Sequence, residues 1–346
     1  MSADTTRPVE SLAAKQSPDY WSVVSRVFWR RRVNRIAVYG ILLILLVALS
    51  ADFLASDKPI LATFHGQLFV LPNLFWYPEL QLYDNRLLVQ AMQPGDWAVL
   101  PLIPWGYNNH DLSSVLAGPS SWHWLGTDPS GRDVAARLIH GARVSLLVAF
   151  FSVPILVVTG IIIGSLGGYF GGRFDALSTR AVEILNSLPT LLILVTCLAI
   201  FAPRDWGSVV MMALIYGLLG WTTVSRLIRG EILRVKELDF VQASRAQGAS
   251  DLRVLVQHVI PNALSPVLVA STFAVASVIL AEGTLSFLGF GIPADMASWG
   301  GVIRQVRGNW AAWWLGVFPG FAIFLTVTLF NIAGEGLRDA IDPRLR

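Results

Sequence analysis

An all-α integral membrane protein with six transmembrane helices is the fold the sequence predicts, and three observations carry it. The 346 residues are 54% hydrophobic and only 14% charged, whereas a soluble domain typically carries about a quarter charged residues. Several apolar runs approach the length of about 20 residues that a helix needs to cross the hydrocarbon. Of the 26 lysines and arginines, 18 fall on segments that share one side once the runs are threaded through a bilayer, the bias expected of cytoplasmic segments. The net charge of +3 and pI near 9.2 follow from that bias, so nucleic acid is not implied as a partner.

Residues 1–35 read as a cytoplasmic tail. Ser17 and Pro18 offer a helix start, and Trp21, Val24 and Phe28 recur on one face ahead of Arg30, Arg31 and Arg32. That pattern predicts an interfacial helix on the inner leaflet. The first span, Ile36 to Leu54, is longer than the core of roughly 7–15 residues in a cleaved signal peptide and reads as a retained anchor. The arginines before it place the N-terminus inside, and six crossings return the C-terminus to the same side.

Residues 55–143 are then extracytoplasmic. Trp76, Trp97, Trp105, Trp122 and Trp124 are spread through this segment, which reads either as a docking surface or lid for an external partner or as a structural cap. Within it, Leu125 to Asp133 has the glycine spacing of a phosphate loop. Arg132 and Asp133 stand where that loop needs Lys and Ser or Thr, so nucleotide binding through it is not expected.

The remaining spans are Val144 to Leu166, Ala181 to Ala202, Ser208 to Val224, Ala263 to Ala281 and Trp314 to Ala333, giving a five-helix core over 144–346. Pro154 and Pro189 fall inside spans, where membrane helices tolerate proline. Gly160, Gly164 and Gly168 repeat every four residues, a small-residue face for close helix packing. Glu282 follows the fifth run and is a candidate for the pathway or its gate, since ionisable groups at membrane depth often face a cavity or partner. Cys197, the only cysteine, lies in a span. His123, His140 and His258 lack metal-ligand spacing, and no nucleophile and base converge, so neither a metal site nor a catalytic residue is assigned.

The most informative stretch is the polar segment 226–262. Val241, Ala243, Ala246 and Ala249 form a small-residue face, Gly248 breaks the helix, and Ser250 is placed to cap a second one. Leu252, Leu255, Val256 and Val259 form an apolar stripe, which Pro261 is expected to end. Two short helices joined at a glycine make a knob suited to a partner's groove.

This stretch resembles the coupling segment of ABC importer permeases: Glu-Ala-Ala, three residues, Gly, then a distal Leu-Pro. Gln242, Ala243, Ser244, Gly248, Ile260 and Pro261 stand at those positions, with Gln242, Ser244 and Ile260 departing from the usual residue. His123 to Leu146, Gly167 to Asp175, Glu282 to Gly291, Ser298 to Gly300 and Leu337 to Arg346 resemble the C-type subunit of the dipeptide and oligopeptide branch. The longer outer segment is similar to the Yej-type peptide and microcin C permeases. The resemblance implies a MetI-like fold and a coupling set of Gln242, Ala243, Ser244, Gly248, Ala249, Ser250, Arg253, Ile260 and Pro261. It also implies a second homologous permease, two ATPase subunits that bind ATP and Mg²⁺, and an external peptide-binding protein. An ion-coupled secondary transporter would instead need paired ionisable groups at mid-membrane depth, and an intramembrane enzyme a convergent nucleophile and base.

Overall fold

The computed structural model describes residues 20–201 and 207–342. Two positions raised from the sequence, the helix start at Ser17 and Pro18 and the end of the third span at Ala202, lie outside them, as do residues 343–346.

Helix α1 (Tyr20–Arg30) is followed at an extended Arg31 by α2 (Arg32–Leu49) and the short α3 (Ala51–Leu54). Val24 on α1 is buried, while Trp21 and Trp29 remain exposed. A small folded segment comes next: strands β1 (Leu61–Phe64) and β2 (Gln67–Val70), helix α4 (Asn85–Ala91), and strand β3 (Trp97–Val99). The antiparallel sheet runs β2-β1-β3, with Leu61 opposite Val70 on one side and Val99 on the other. The sheet adds a β element to an otherwise helical chain. Its signal was present, since His65-Gly66 separates two short apolar runs and both residues have positive φ, the backbone a two-residue hairpin turn requires. Ala62, Phe64, Phe69, Leu80 and Leu88 fill a core of their own beneath it.

The membrane core consists of α5 (Val134–Phe170), α6 (Gly172–Ser187), α7 (Thr190–Phe201), α8 (Gly207–Val235), α12 (Ser265–Leu288) and α14 (Trp314–Ile341). Between α8 and α12 lie α9 (Asp239–Ala246), α10 (Asp251–Val254) and α11 (Ile260–Ala263), and between α12 and α14 lies α13 (Trp299–Arg304). At 37 residues, α5 is about 55 Å long and exceeds a hydrocarbon core of about 30 Å. It packs along α8 more extensively than any other helix pair does, and α12 closes on α5 and α14. Large apolar side chains such as Leu43, Leu46, Phe150, Ile162 and Phe321 point outward, the arrangement lipid as solvent favours.

Five helices are long and apolar enough to cross as single rods: α2, α5, α8, α12 and α14. The third expected span does not. It is broken into α6 and α7, which meet at 87°. Pro189 favours the break: its ring disfavours helical geometry in the preceding residue, and Leu188 is extended at φ −94°, ψ 140°. The fourth span also differs, because α8 carries on to Val235. The polar stretch from Arg226 therefore begins as the last turns of a membrane helix.

Candidate functional site

The knob is built from α9, a turn at Gln247-Gly248, and a second helical stretch from Asp251 to Ala263. Gly248 has φ +85°, which an L side chain adopts only at a cost of roughly 1–2 kcal/mol. Its N–H donates to the Arg245 carbonyl at 2.9 Å and that of Ala249 to the Ser244 carbonyl at 3.2 Å, closing α9 as glycine C-caps do. Ser250 occupies the N-cap position of α10 with extended backbone, but its hydroxyl makes no capping bond.

Pro261 does not stop this second helix. The chain passes through a π-helical turn, Leu255–Val259, and the Ile260 N–H reaches back to Leu255 before α11 continues through Pro261. A proline has no N–H and clashes with the carbonyl four residues earlier, and a widened turn accommodates both. The Asn262 side chain donates to the His258 carbonyl at 2.7 Å.

The apolar stripe divides. Leu255 and Val259 are buried against the core, while Leu252 and Val256 are exposed; outside the stripe, Val241 and Val254 are buried and Phe240 is exposed. Gln242, Ala243, Gly248, Ser250, Arg253 and Pro261 are exposed too, and Ser244, Ala249 and Ile260 are half-buried. The knob thus shows an accessible surface of mixed apolar and polar character. Gln242 donates its amide to the Lys236 carbonyl at 3.0 Å, closing the turn that leaves α8. A glutamate there has no hydrogen to donate.

Side chains that carried no role in the sequence hold the knob to the membrane core. The Tyr169 hydroxyl, near the end of α5, donates to Asp251 at 3.0 Å and accepts from Arg245 Nε at 3.3 Å. The Arg245 guanidinium also lies over the Tyr169 ring, 5.0 Å from its centroid. Lys236 Nζ donates to the Gly168 carbonyl at 3.1 Å. Nearby, Arg229 on α8 makes a two-pronged pair with Asp175 on α6 at 2.6 and 2.7 Å. Tyr169 and Asp175 both lie within Gly167 to Asp175, one of the runs that carry the family resemblance.

The glycine stripe sits where α5 meets α8. A Cβ at Gly160 would come within 2.6 Å of Val224, at Gly164 within 2.4 Å of the Ser225 carbonyl, and at Gly168 within 3.0 Å of the Arg229 carbonyl. The helices touch through their backbones along three successive turns.

Glu282 lies inside α12, 0% exposed, rather than beyond its end. It accepts from the Ser145 hydroxyl at 2.6 Å and the Ser286 hydroxyl at 2.8 Å, which ties α12 to α5 as buried polar groups require.

At the opposite end of α5 from the knob, Leu125 to Asp133 forms a joint. Asp133 caps α5 by accepting from the Ala136 N–H at 2.8 Å. Asp128 accepts from Arg132 Nε at 2.7 Å, and Arg132 donates onward to the Ala294 carbonyl at 2.8 Å. Arg137, 1% exposed, donates to the carbonyls of Tyr107 and Met296. His123 is held at 2.8 Å from Asp133 and 3.5 Å from Asp111. Burial pushes its imidazole down, but the two carboxylates outweigh that and hold it above its ordinary value. His140 donates to the Ala55 carbonyl, and His258 lies on the knob, far along the chain from both. Among the described residues no three His, Cys, Asp or Glu side chains gather as a metal site.

Residues 145–346 match the family described as the binding-protein-dependent transport system inner membrane component. A putative peptide permease protein of Brucella suis is 40% identical over 245 residues, covering 70% of this chain and 80% of that protein. The dipeptide transport system permease protein DppC of Bacillus subtilis is 39% identical over 250 residues, covering 71% and 76%. The inner membrane ABC transporter permease protein YejE of Escherichia coli is 30% identical over 338 residues, 93% of this chain and 98% of that one, so the likeness extends through the segment ahead of α5. The chain therefore belongs to the binding-protein-dependent transport family and is an inner-membrane permease subunit of an ABC importer, a transport component that works with separate ATPase and substrate-binding partners.

Proposed function

We propose that this subunit carries peptides or peptide-like compounds into the cell, and that residues 239–263 are the surface on which an ATPase subunit acts. The observation that carries the second part is the attachment of an exposed two-helix knob to α5 through Tyr169, Arg245 and Asp251. The knob is also continuous in chain with α8 and α12. A push on it reaches three membrane helices at once. The names of the relatives in Brucella suis and Bacillus subtilis support peptides as the substrate class.

In this reading the knob and both termini are cytoplasmic and the segment 55–133 is extracytoplasmic. The lysine and arginine bias supports that orientation, and the knob and the segment lie at opposite ends of α5. A second, homologous permease completes the path, and two ATPase subunits bind ATP and Mg²⁺. Closure of the ATPases moves the knob, and the spans tilt from inward-facing to outward-facing so that peptide enters from its binding protein. Gln242, Ala243, Ser244, Gly248, Ala249, Ser250, Arg253, Ile260 and Pro261 form or shape the contact.

The test is peptide uptake by the assembled complex in proteoliposomes. Uptake is expected to require ATP on the knob side and to survive a protonophore. Uptake that persists without ATP and collapses with the ion gradient would overturn the proposal in favour of a secondary transporter.

A further inference from the structure

The break between α6 and α7 exposes backbone where a membrane segment normally hides it. Pro189 supplies no N–H and Leu188 is extended, so carbonyls in the last turn of α6 lose their ladder partners. The Ser187 hydroxyl donates to one of them, that of Ile184, at 2.7 Å. Irregular backbone at membrane depth is tolerated only where protein buries it or where it lines a water-filled cavity. In this subunit Asn186, Ser187, Leu188, Pro189 and Thr190 are all exposed. Burial within the chain therefore does not account for the break.

Two cavities meet there, and Asn186 lines both. The smaller, about 160 Å³, is bounded by Asn186, Thr190, Thr222 and Thr223 among apolar neighbours. The larger, about 620 Å³, runs toward the knob end between α6 and α8 past Ser178, Thr179, Ser187 and Ser225. Its charged groups are Glu183, Arg226 and Arg229, of which Arg229 is engaged by Asp175. The volume is that of a small-ligand site. At the junction the Thr222 hydroxyl donates to Asn186 Oδ1 at 3.2 Å. Among the described residues the Asn186 amide Nδ2 donates to no protein group.

We propose that the broken third span is a wall of the translocation path, and that Asn186 with Thr222 forms its narrow polar point, where amide groups of a passing peptide exchange hydrogen bonds. The lining suits that ligand. Neutral side chains that both donate and accept match a peptide backbone, which presents one donor and one acceptor per residue whatever its side chains. A charged constriction would select by net charge instead. The substrate class here rests on the proposed peptide reading, whereas the water-filled wall rests on the break alone.

The experiment uses the assembled complex in proteoliposomes with Cys197→Ser as background. Asn186→Cys is treated with a charged, membrane-impermeant methanethiosulfonate from the knob side. Thr223→Cys is made in parallel in case the first variant assembles poorly. Both are expected to react, and a transported peptide with its binding protein and ATP is expected to slow the reaction several-fold. Ile162→Cys, on an exposed apolar stretch of α5, is expected to react only with a lipid-soluble maleimide. Positions 186 and 223 that react only with the lipid-soluble reagent, or with neither, overturn the wall. Aqueous reaction without protection by peptide overturns the recognition point. Uptake by the Cys197→Ser complex is measured in the same vesicles. Its absence would count against the peptide reading, leaving the aqueous-access result to be judged separately.

Discussion

Tyr169→Phe isolates the link between the knob and α5. The ring is buried and stays in place in the variant, as does the guanidinium stacked above it at 5.0 Å, since phenylalanine also attracts a cation. Only the hydroxyl goes, with its bonds to Asp251 and Arg245 at 3.0 and 3.3 Å. The Asp251 side chain is 63% exposed and that of Arg245 35%, so water replaces the hydroxyl and no buried group is orphaned. The loss is then that of two solvent-accessible hydrogen bonds, about 1–2 kcal/mol together, which moves the ratio of attached to detached knob by a factor of about 5–30. Complex assembly is expected to be unchanged, while the ATP hydrolysed per peptide imported rises several-fold. Tyr169→Ala also removes the ring, which costs about 3–5 kcal/mol, and is expected to reduce assembly. An unchanged ATP-to-peptide ratio in Tyr169→Phe, at normal expression, would refute the idea that this contact transmits motion.

Three further outcomes are expected. Gly164→Ala places a Cβ 2.4 Å from the Ser225 carbonyl and 2.5 Å from Ile228, forcing α5 from α8 at a cost of about 1–3 kcal/mol. Thermal unfolding in detergent should show the loss, and Gly230→Ala, where nothing lies within 4 Å, should not. Gly248→Val meets open space but must adopt φ +85°, so it should insert normally and lose peptide uptake. The His123 joint should depend on pH at both limbs. Its imidazole is held above its ordinary value, so its contribution is complete below that value and is lost as pH rises through the raised one. For Asp111, burial pushes upward but the Ser113 hydroxyl and N–H hold the carboxyl below its ordinary value, so its contribution is lost as pH falls through the lowered one. Hydrogen-exchange protection across residues 105–133, taken relative to the intrinsic rate at each pH, should be highest between the two, and His123→Asn should flatten the alkaline limb.

Much of the membrane architecture was legible because apolar run length is a direct reading of hydrocarbon thickness. The misreadings fall where one residue changes the backbone. Proline is tolerated where a helix stays continuous around it, as α5 does at Pro154; at Pro189, Leu188 leaves the helix and the span folds over. Pro261 is expected to stop its helix, and a π-helical turn absorbs it. Strands of three or four residues give too short an alternation to stand out, although the His65-Gly66 turn marked the hairpin. In the knob, spacing located Gly248 and the two helices. It does not separate buried Leu255 and Val259 from exposed Leu252 and Val256, because that depends on which face meets the membrane core. Tyr169, Arg245 and Asp251 are far apart in sequence or on different elements, and only the fold brings them together. An apolar run ends at the first charge, so the sequence ends the fifth span before Glu282, whereas the helix runs on to Leu288.

The central claim, that residues 239–263 meet the ATPase, is tested most directly by crosslinking. Ala243→Cys, at an exposed position on α9, is made in the Cys197→Ser background and co-expressed with the ATPase subunit carrying single cysteines along its permease-facing groove. A short bifunctional maleimide is expected to join the two in the assembled complex, with a yield that changes when ATP is added. Leu82→Cys, exposed in the segment ahead of α5, should give no product. An intact complex in which Ala243→Cys never crosslinks, while a position elsewhere on the permease does, would contradict the account.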